Sequence, residues 1–188
     1  MSYLSRNITS WLCKQGAVAE EDKELYEYAA YCFLLTSFPL IMALVFSAMI
    51  DGVKQYIAML IPFMCLRQYC GGYHAKKAWI CMVLSFLTLV LTVQAAMRDT
   101  GGVLHWSLVL LASISIIINS PIESENRRLD EQEKVIYHKK AILMVLFFLV
   151  VAIILDLLAF DIYASAMGIG IILVFISQLP CLDKQAKG

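Results

Sequence analysis

Apolar residues run through this chain in long stretches separated by short polar intervals. A helix that crosses a bilayer needs about 20 mostly apolar residues, because the hydrocarbon core is roughly 30 Å thick and each residue rises about 1.5 Å. On that rule, six spans are predicted near Ala29 to Ile50, Val53 to Leu66, Ala78 to Met97, Val103 to Ser120, Ala141 to Phe160 and Ile162 to Leu179, the second of them short. Pro39 and Pro62 interrupt the first two. A membrane tolerates that where neighbouring helices satisfy the freed carbonyls. Pro121 ends the fourth.

Before the first span the pattern changes. Leu4, Ile8, Trp11 and Leu12 recur at helical spacing, which predicts an amphipathic helix over Ser2 to Lys14. It either lies in the membrane interface with Trp11 as anchor or packs against the bundle. The first 28 residues do not read as a signal peptide, since their apolar residues are spaced and Glu20, Glu21, Asp22 and Glu24 follow.

Composition agrees with the pattern. The 188 residues are 61% hydrophobic and 16% charged, with a positive mean hydropathy. That leaves too little polar surface to coat a soluble globule. The expectation is an all-α, polytopic membrane protein, a single domain over 1–188 with an amino-terminal interfacial segment (1–28), a chemistry-bearing segment (67–81) and a cytoplasmic loop (121–140).

The basic residues orient the spans. Arg6, Lys14, Lys23, Arg67, Lys76, Lys77, Arg127, Arg128, Lys134, Lys139, Lys140, Lys184 and Lys187 fall on one side, leaving only Lys54 and Arg98 for the other. Such asymmetry marks the rich side as cytoplasmic, with both termini inside. The formal net charge of zero, with no basic domain, argues against a nucleic-acid partner. Of the six cysteines, Cys32 lies within a span, while Cys13, Cys65, Cys70, Cys81 and Cys181 fall near the reducing face. Packing, rather than disulfide formation, is their expected role.

Arg67, Gly71, Gly72, His74, Lys76, Lys77 and Cys81 gather where the second span meets the cytoplasm and the third begins. Ionisable groups beside a span usually mark a site, because poorly paired charge there costs at least a few kcal/mol. A thiol attacks as thiolate and needs a base, and His74 is the one histidine in the cluster. In an unbroken helix, the seven residues from His74 to Cys81 would separate the two by about 10.5 Å, too far for a hydrogen bond. Gly71 and Gly72 can turn the chain back and relieve that separation. Packing, a hydrated surface histidine and an ordinary glycine turn explain the same residues separately. Cys65, Cys70, His74 and Cys81 could instead hold zinc, although their spacings match no common knuckle.

Arg67, Gly71-Gly72, His74-Ala75, Cys81 and Ser85 together resemble the signature of the accessory gene regulator protein B (AgrB) family, membrane peptidases of bacterial quorum sensing. Asn119-Ser120-Pro121-Ile122-Glu123-Ser124-Glu125-Asn126-Arg127-Arg128-Leu129 is similar to that family's loop after the fourth span. The resemblance implies a bacterial cell-membrane cysteine endopeptidase, without metal or cofactor, active at the cytoplasmic side. It would cut the carboxy-terminal tail from a small AgrD-like propeptide through a thioester and support closure of a thiolactone or lactone ring. Cys81 would be nucleophile and His74 base. Arg67 would bind a substrate carboxylate, pair with an acid or mark the lipid boundary, and Ser85 would donate near the dyad or bond its own helix. Arg127 and Arg128 would grip an acidic propeptide tail, against the simpler reading of a solvated charged loop.

Other expectations stand beside these. Asp130 to Glu133 reads as a capping box opening a helix through Lys140. Gln68, Asp51, Asn119 and Glu123 could each orient the imidazole, and His105 and His138 read as incidental. Gly168 and Gly170 offer small residues for helix pairing, a homodimer being one outcome. A helical transporter or peptide-export subunit, with Arg67 and His74 lining a pathway, is the competing reading from another class, and a non-catalytic membrane adaptor a third.

Overall fold

The computed structural model describes residues 2–72, 77–99, 101–122 and 129–186, with the side chains of 3–181 among them. The described residues form seven α-helices and no strand: α1 (Ser2–Lys14), α2 (Lys23–Met49), α3 (Val53–Cys70), α4 (Ala78–Arg98), α5 (Val103–Asn119), α6 (Glu131–Leu157) and α7 (Asp161–Ala186). Each expected span falls on one of α2 to α7. Among the described residues, four helices are long and apolar enough to cross a membrane: α2 with its leading turn, α4, α6 and α7; α5 is a shorter apolar helix. The chain is an all-α membrane protein.

Local chemistry explains most boundaries. Asp130 caps α6: its carboxylate accepts from the Glu131 amide at 2.8 Å, and the Glu133 carboxylate accepts from the Asp130 amide at 3.1 Å. This is the expected capping box. The helix it opens does not stop at Lys140, however, but continues as one rod into the fifth span. The sequence from Lys134 to Lys140 holds no glycine or proline to break it. Likewise α2 and α3 run through Pro39 and Pro62.

The helices fall into two compact units, Met1–Phe46 with Ala75–Leu89, and Ser47–His74 with Val90–Gly188. In the first, Arg6 Nε donates to Glu27 at 2.8 Å and ties α1 to α2. Ser5 and Thr9 are buried, while Tyr3, Leu4, Ile8 and Trp11 stay exposed. The small polar side chains thus face protein and the apolar ones do not, which favours the interfacial reading of α1 over packing of its apolar face.

The second unit is organised around α7. Its apolar window is 61% buried, against 17–22% in the other three long helices, so α7 is the core helix and the others carry lipid-facing surface. Phe147, Val150 and Leu143 on α6 are among the side chains left exposed. Small residues give α7 that place. A Cβ at Gly170 would collide with the Met59 carbonyl, and one at Gly168 with His105 and Val109. The glycines that the sequence offers for helix pairing are therefore consumed inside the chain.

Candidate active site

Helix α3 ends because the chain leaves it through two glycines in conformations other residues avoid. Gly71 has φ 71°, ψ −164°, and its amide still bonds the Arg67 carbonyl at 3.3 Å. Gly72 follows with φ 148°. A Cβ on Gly71 would collide with the Ile122 carbonyl, and one on Gly72 with the Arg67 guanidinium. Both positions therefore require glycine twice over, for backbone angle and for space. The expected break between Arg67 and Cys81 exists, and α4 starts afresh at Ala78.

Around this hinge lies a knot of polar contacts. Arg67 Nη1 donates to Ser177 Oγ at 2.6 Å and to the Gly71 carbonyl at 3.4 Å. The guanidinium is turned onto α7 and its own helix end. Gly71 and Ile122 form an isolated parallel bridge, and the Ile122 amide donates to the Cys70 carbonyl at 3.0 Å. Gln178, fully buried, donates from Nε2 to that same carbonyl and to Ser120 Oγ, both at 3.1 Å. Its Oε1 has no hydrogen-bond partner among the described residues.

Helix α6 closes the knot from another side. His138 Nδ1 lies 2.6 Å from the Ser120 carbonyl, an arrangement in which the protonated nitrogen donates. The Tyr69 and Tyr137 rings meet at 5.8 Å, and Lys140 Nζ stands 5.4 Å from the centre of the Tyr69 ring. His138, which reads as incidental in sequence, fastens the 120–122 segment. Asn119, a candidate to orient the imidazole, instead donates to the Ser115 carbonyl of its own helix at 2.8 Å.

Cys81 sits in the first turn of α4, its amide bonded to the Lys77 carbonyl at 3.1 Å, and is half-buried. Ser85, one turn on, is also half-buried. Next along α4, Met82, Val83, Phe86 and Leu87 line an apolar cleft of about 150 Å³ with Phe38 and Met42 of α2. Cys70 differs sharply. At the end of α3, beyond its apolar run, it is fully buried. Burial pushes its thiol up to about 11, against the opposing pull of a Ser120 hydrogen bond and the Arg67 charge. At neutral pH that thiol is neither thiolate nor accessible.

Of the expected site residues, the structure brings Arg67, Gly71 and Gly72 into one knot and puts Cys81 and Ser85 on one helical face. His74, Arg127, Arg128 and Glu123 lie outside the described residues. No group of three or more His, Cys, Asp or Glu side chains gathers as a metal site among the described residues. Sequence reasoning missed Gln178, Ser177 and Ser120. The signal available was a glutamine inside an otherwise apolar span, a residue type that rarely sits there without a task. It also missed a further polar pair, in which Nδ1 of the buried His105 contacts the half-buried Asp99 carboxylate and His105 Nε2 stays unpartnered among the described residues.

Comparison with known proteins adds to this geometry. The family model described as Accessory gene regulator B matches residues 5–178. Proteins named Accessory gene regulator protein B from Staphylococcus aureus strains JH9, JH1 and Mu3 are each 27% identical over 121 residues, 64% of this chain and 63% of theirs. No solved structure matches.

Proposed function

Because the chain belongs to the accessory gene regulator B family, and so to accessory gene regulator quorum sensing, we propose that it is the cysteine endopeptidase that processes a small AgrD-like propeptide. Cys81 is the nucleophile and His74 the base. The observation that carries this reading is that α3 ends at Cys70 and α4 begins only at Ala78, since one unbroken helix from His74 through Cys81 would hold the two groups a helical rise of about 10.5 Å apart.

In this scheme His74 takes the Cys81 proton, and the sulfur attacks the scissile carbonyl. The tetrahedral adduct collapses to a thioester as the imidazolium returns the proton to the departing amine. A side-chain thiol within the bound peptide then attacks the thioester, closing a thiolactone, while Cys81 recovers its proton. The second step exchanges one thioester for another and is nearly isoenergetic. Its rival is hydrolysis of the thioester by water, and a dry site that holds the peptide thiol close favours the exchange.

Several features support the assignment of Cys81 over Cys70. Cys81 is half-buried rather than sealed. It lies at the amino-terminal turn of a helix, where negative charge is best placed. An apolar cleft begins at the next residue and suits an apolar segment of the propeptide. Arg67, engaged with Ser177 and Gly71, acts as structure rather than as a substrate clamp. Arg127 and Arg128 grip the acidic propeptide tail from the 121–130 loop. By the distribution of basic residues, this loop, both termini and the active site face the cytoplasm of a bacterial cell membrane.

The test is co-expression with the cognate propeptide, read by mass spectrometry for the shortened peptide, with Cys81→Ala and His74→Ala alongside. Cleavage is expected only with both residues intact. Full-length peptide in every lane would favour a transporter, and cleavage surviving Cys81→Ala would remove the mechanism.

A further inference from the structure

A catalytic imidazole presented just beyond a glycine pair inherits the glycines' freedom, and glycines are poor keepers of direction. Something besides the local chain has to set where that segment departs. The Cys70 carbonyl, at the very end of α3, is held from two sides: by the Ile122 amide at 3.0 Å and by Gln178 Nε2 at 3.1 Å. The same nitrogen reaches Ser120 Oγ. One amide from α7 thus joins the end of α3 to the segment that leaves α5 at Ser120.

Packing alone does not explain this residue. Gln178 is fully buried, and its Oε1 is unpartnered among the described residues. A buried acceptor without a donor costs about 1–3 kcal/mol. Methionine would fill the same length without that cost, and the Cys70 carbonyl would keep its bond from Ile122.

Resting on the peptidase reading, we propose that Gln178 is a positioning residue for the reaction: it clamps the Cys70 carbonyl to Ser120 and so fixes the direction in which the chain sets out toward His74. His74 is two residues past Gly72, so with the hinge held its Cα is confined to about 7 Å of Gly72. With Gly71 and Gly72 loosened as well, chain length alone bounds it only to within about 14 Å of Cys70. A misplacement of about 1 Å can already cost on the order of 100-fold in rate.

The experiment compares parent, Gln178→Met, Ser120→Ala and Cys81→Ala proteins in lipid nanodiscs, measuring thermal midpoint, kcat and KM for cleavage of the cognate propeptide. Gln178→Met is expected to keep or raise the midpoint, to lower kcat about 10-fold or more, and to leave KM within about 2-fold. Unchanged turnover per folded molecule, or a loss that follows the folded fraction, overturns the proposal. Should Gln178→Met fail to fold, Ser120→Ala decides, with a fall in kcat of about 3-fold expected and an unchanged kcat overturning it. If the parent does not cut, or Cys81→Ala does, the peptidase reading itself fails and this inference goes with it. If parent and Cys81→Ala behave as expected while Gln178→Met matches the parent, only the role of Gln178 is lost.

Discussion

Gly72 lies beneath the Arg67 side chain and Gly168 beneath His105, and the two glycines answer different needs. Gly72 has φ 148° and sits outside any helix. The guanidinium above it is fastened to Ser177. Gly168 is an ordinary helical residue of α7, required only because the His105 ring and Val109 press on it. The first glycine permits a backbone path and the second permits two helices to approach. Loss of the first should therefore show in chemistry, and loss of the second in stability.

The largest effect is expected at the hinge. Gly72→Ala meets backbone strain of about 1–3 kcal/mol and displaces Arg67 from its charged hydrogen bonds, worth about 1.5–3 kcal/mol each. If about 3 kcal/mol of this falls on positioning, propeptide cleavage drops about 100-fold. Cleavage above about a tenth of the parent rate would mean that the hinge does not guide the reaction.

Cys70 supplies a pH test of the same knot. Its thiol is raised from 9.0 to about 11 by burial. The folded state therefore favours the protonated form, and the associated stability is complete below about pH 9 and lost as pH rises toward 11. The loss is on the order of 2–3 kcal/mol. The fall in thermal midpoint between pH 8 and 11 is expected to be steeper in the parent than in Cys70→Ala, and equal slopes would contradict the sealed thiol.

At the other glycine, Gly168→Ala is an overpacking change costing about 1–3 kcal/mol. The ring it meets is pinned by Asp99 and cannot swing aside. Adding His105→Ala should recover part of the loss, with a coupling energy of about 1 kcal/mol in a double-mutant cycle. Additive effects would show that the ring is not the obstacle. Smallest of all, Asp130→Ala removes the cap of α6 and costs about 1 kcal/mol. Faster amide exchange in its first turn, with cleavage changed less than about 2-fold, is the expected outcome; a large loss of cleavage would extend the positioning role to the helix that carries His138.

Much of the architecture is legible in the sequence because it is written in short-range patterns. Apolar run lengths mark the six helices, the spacing of Leu4, Ile8 and Trp11 marks α1, and the Asp130–Glu133 pair marks a helix start. The glycine pair marks a break in the chain, and the structure has one there. The continuation of the loop helix into α6 was less legible, since a charged stretch and an apolar one share the same backbone geometry.

What the sequence determined by itself is therefore local: which stretches are helices, where the chain can turn between them, and which residue types a thiol chemistry would use. The partners of the hinge were decided only in three dimensions. Arg67 and Ser177 are 110 residues apart in the chain, Cys70 and Gln178 are 108 apart, and Ser120 and Gln178 are 58 apart. No periodicity links such positions. They meet because the small residues of α7 let α3 come within contact of its backbone, and in that contact an otherwise unremarked glutamine becomes a second donor, beside the Ile122 amide, for the last carbonyl of α3.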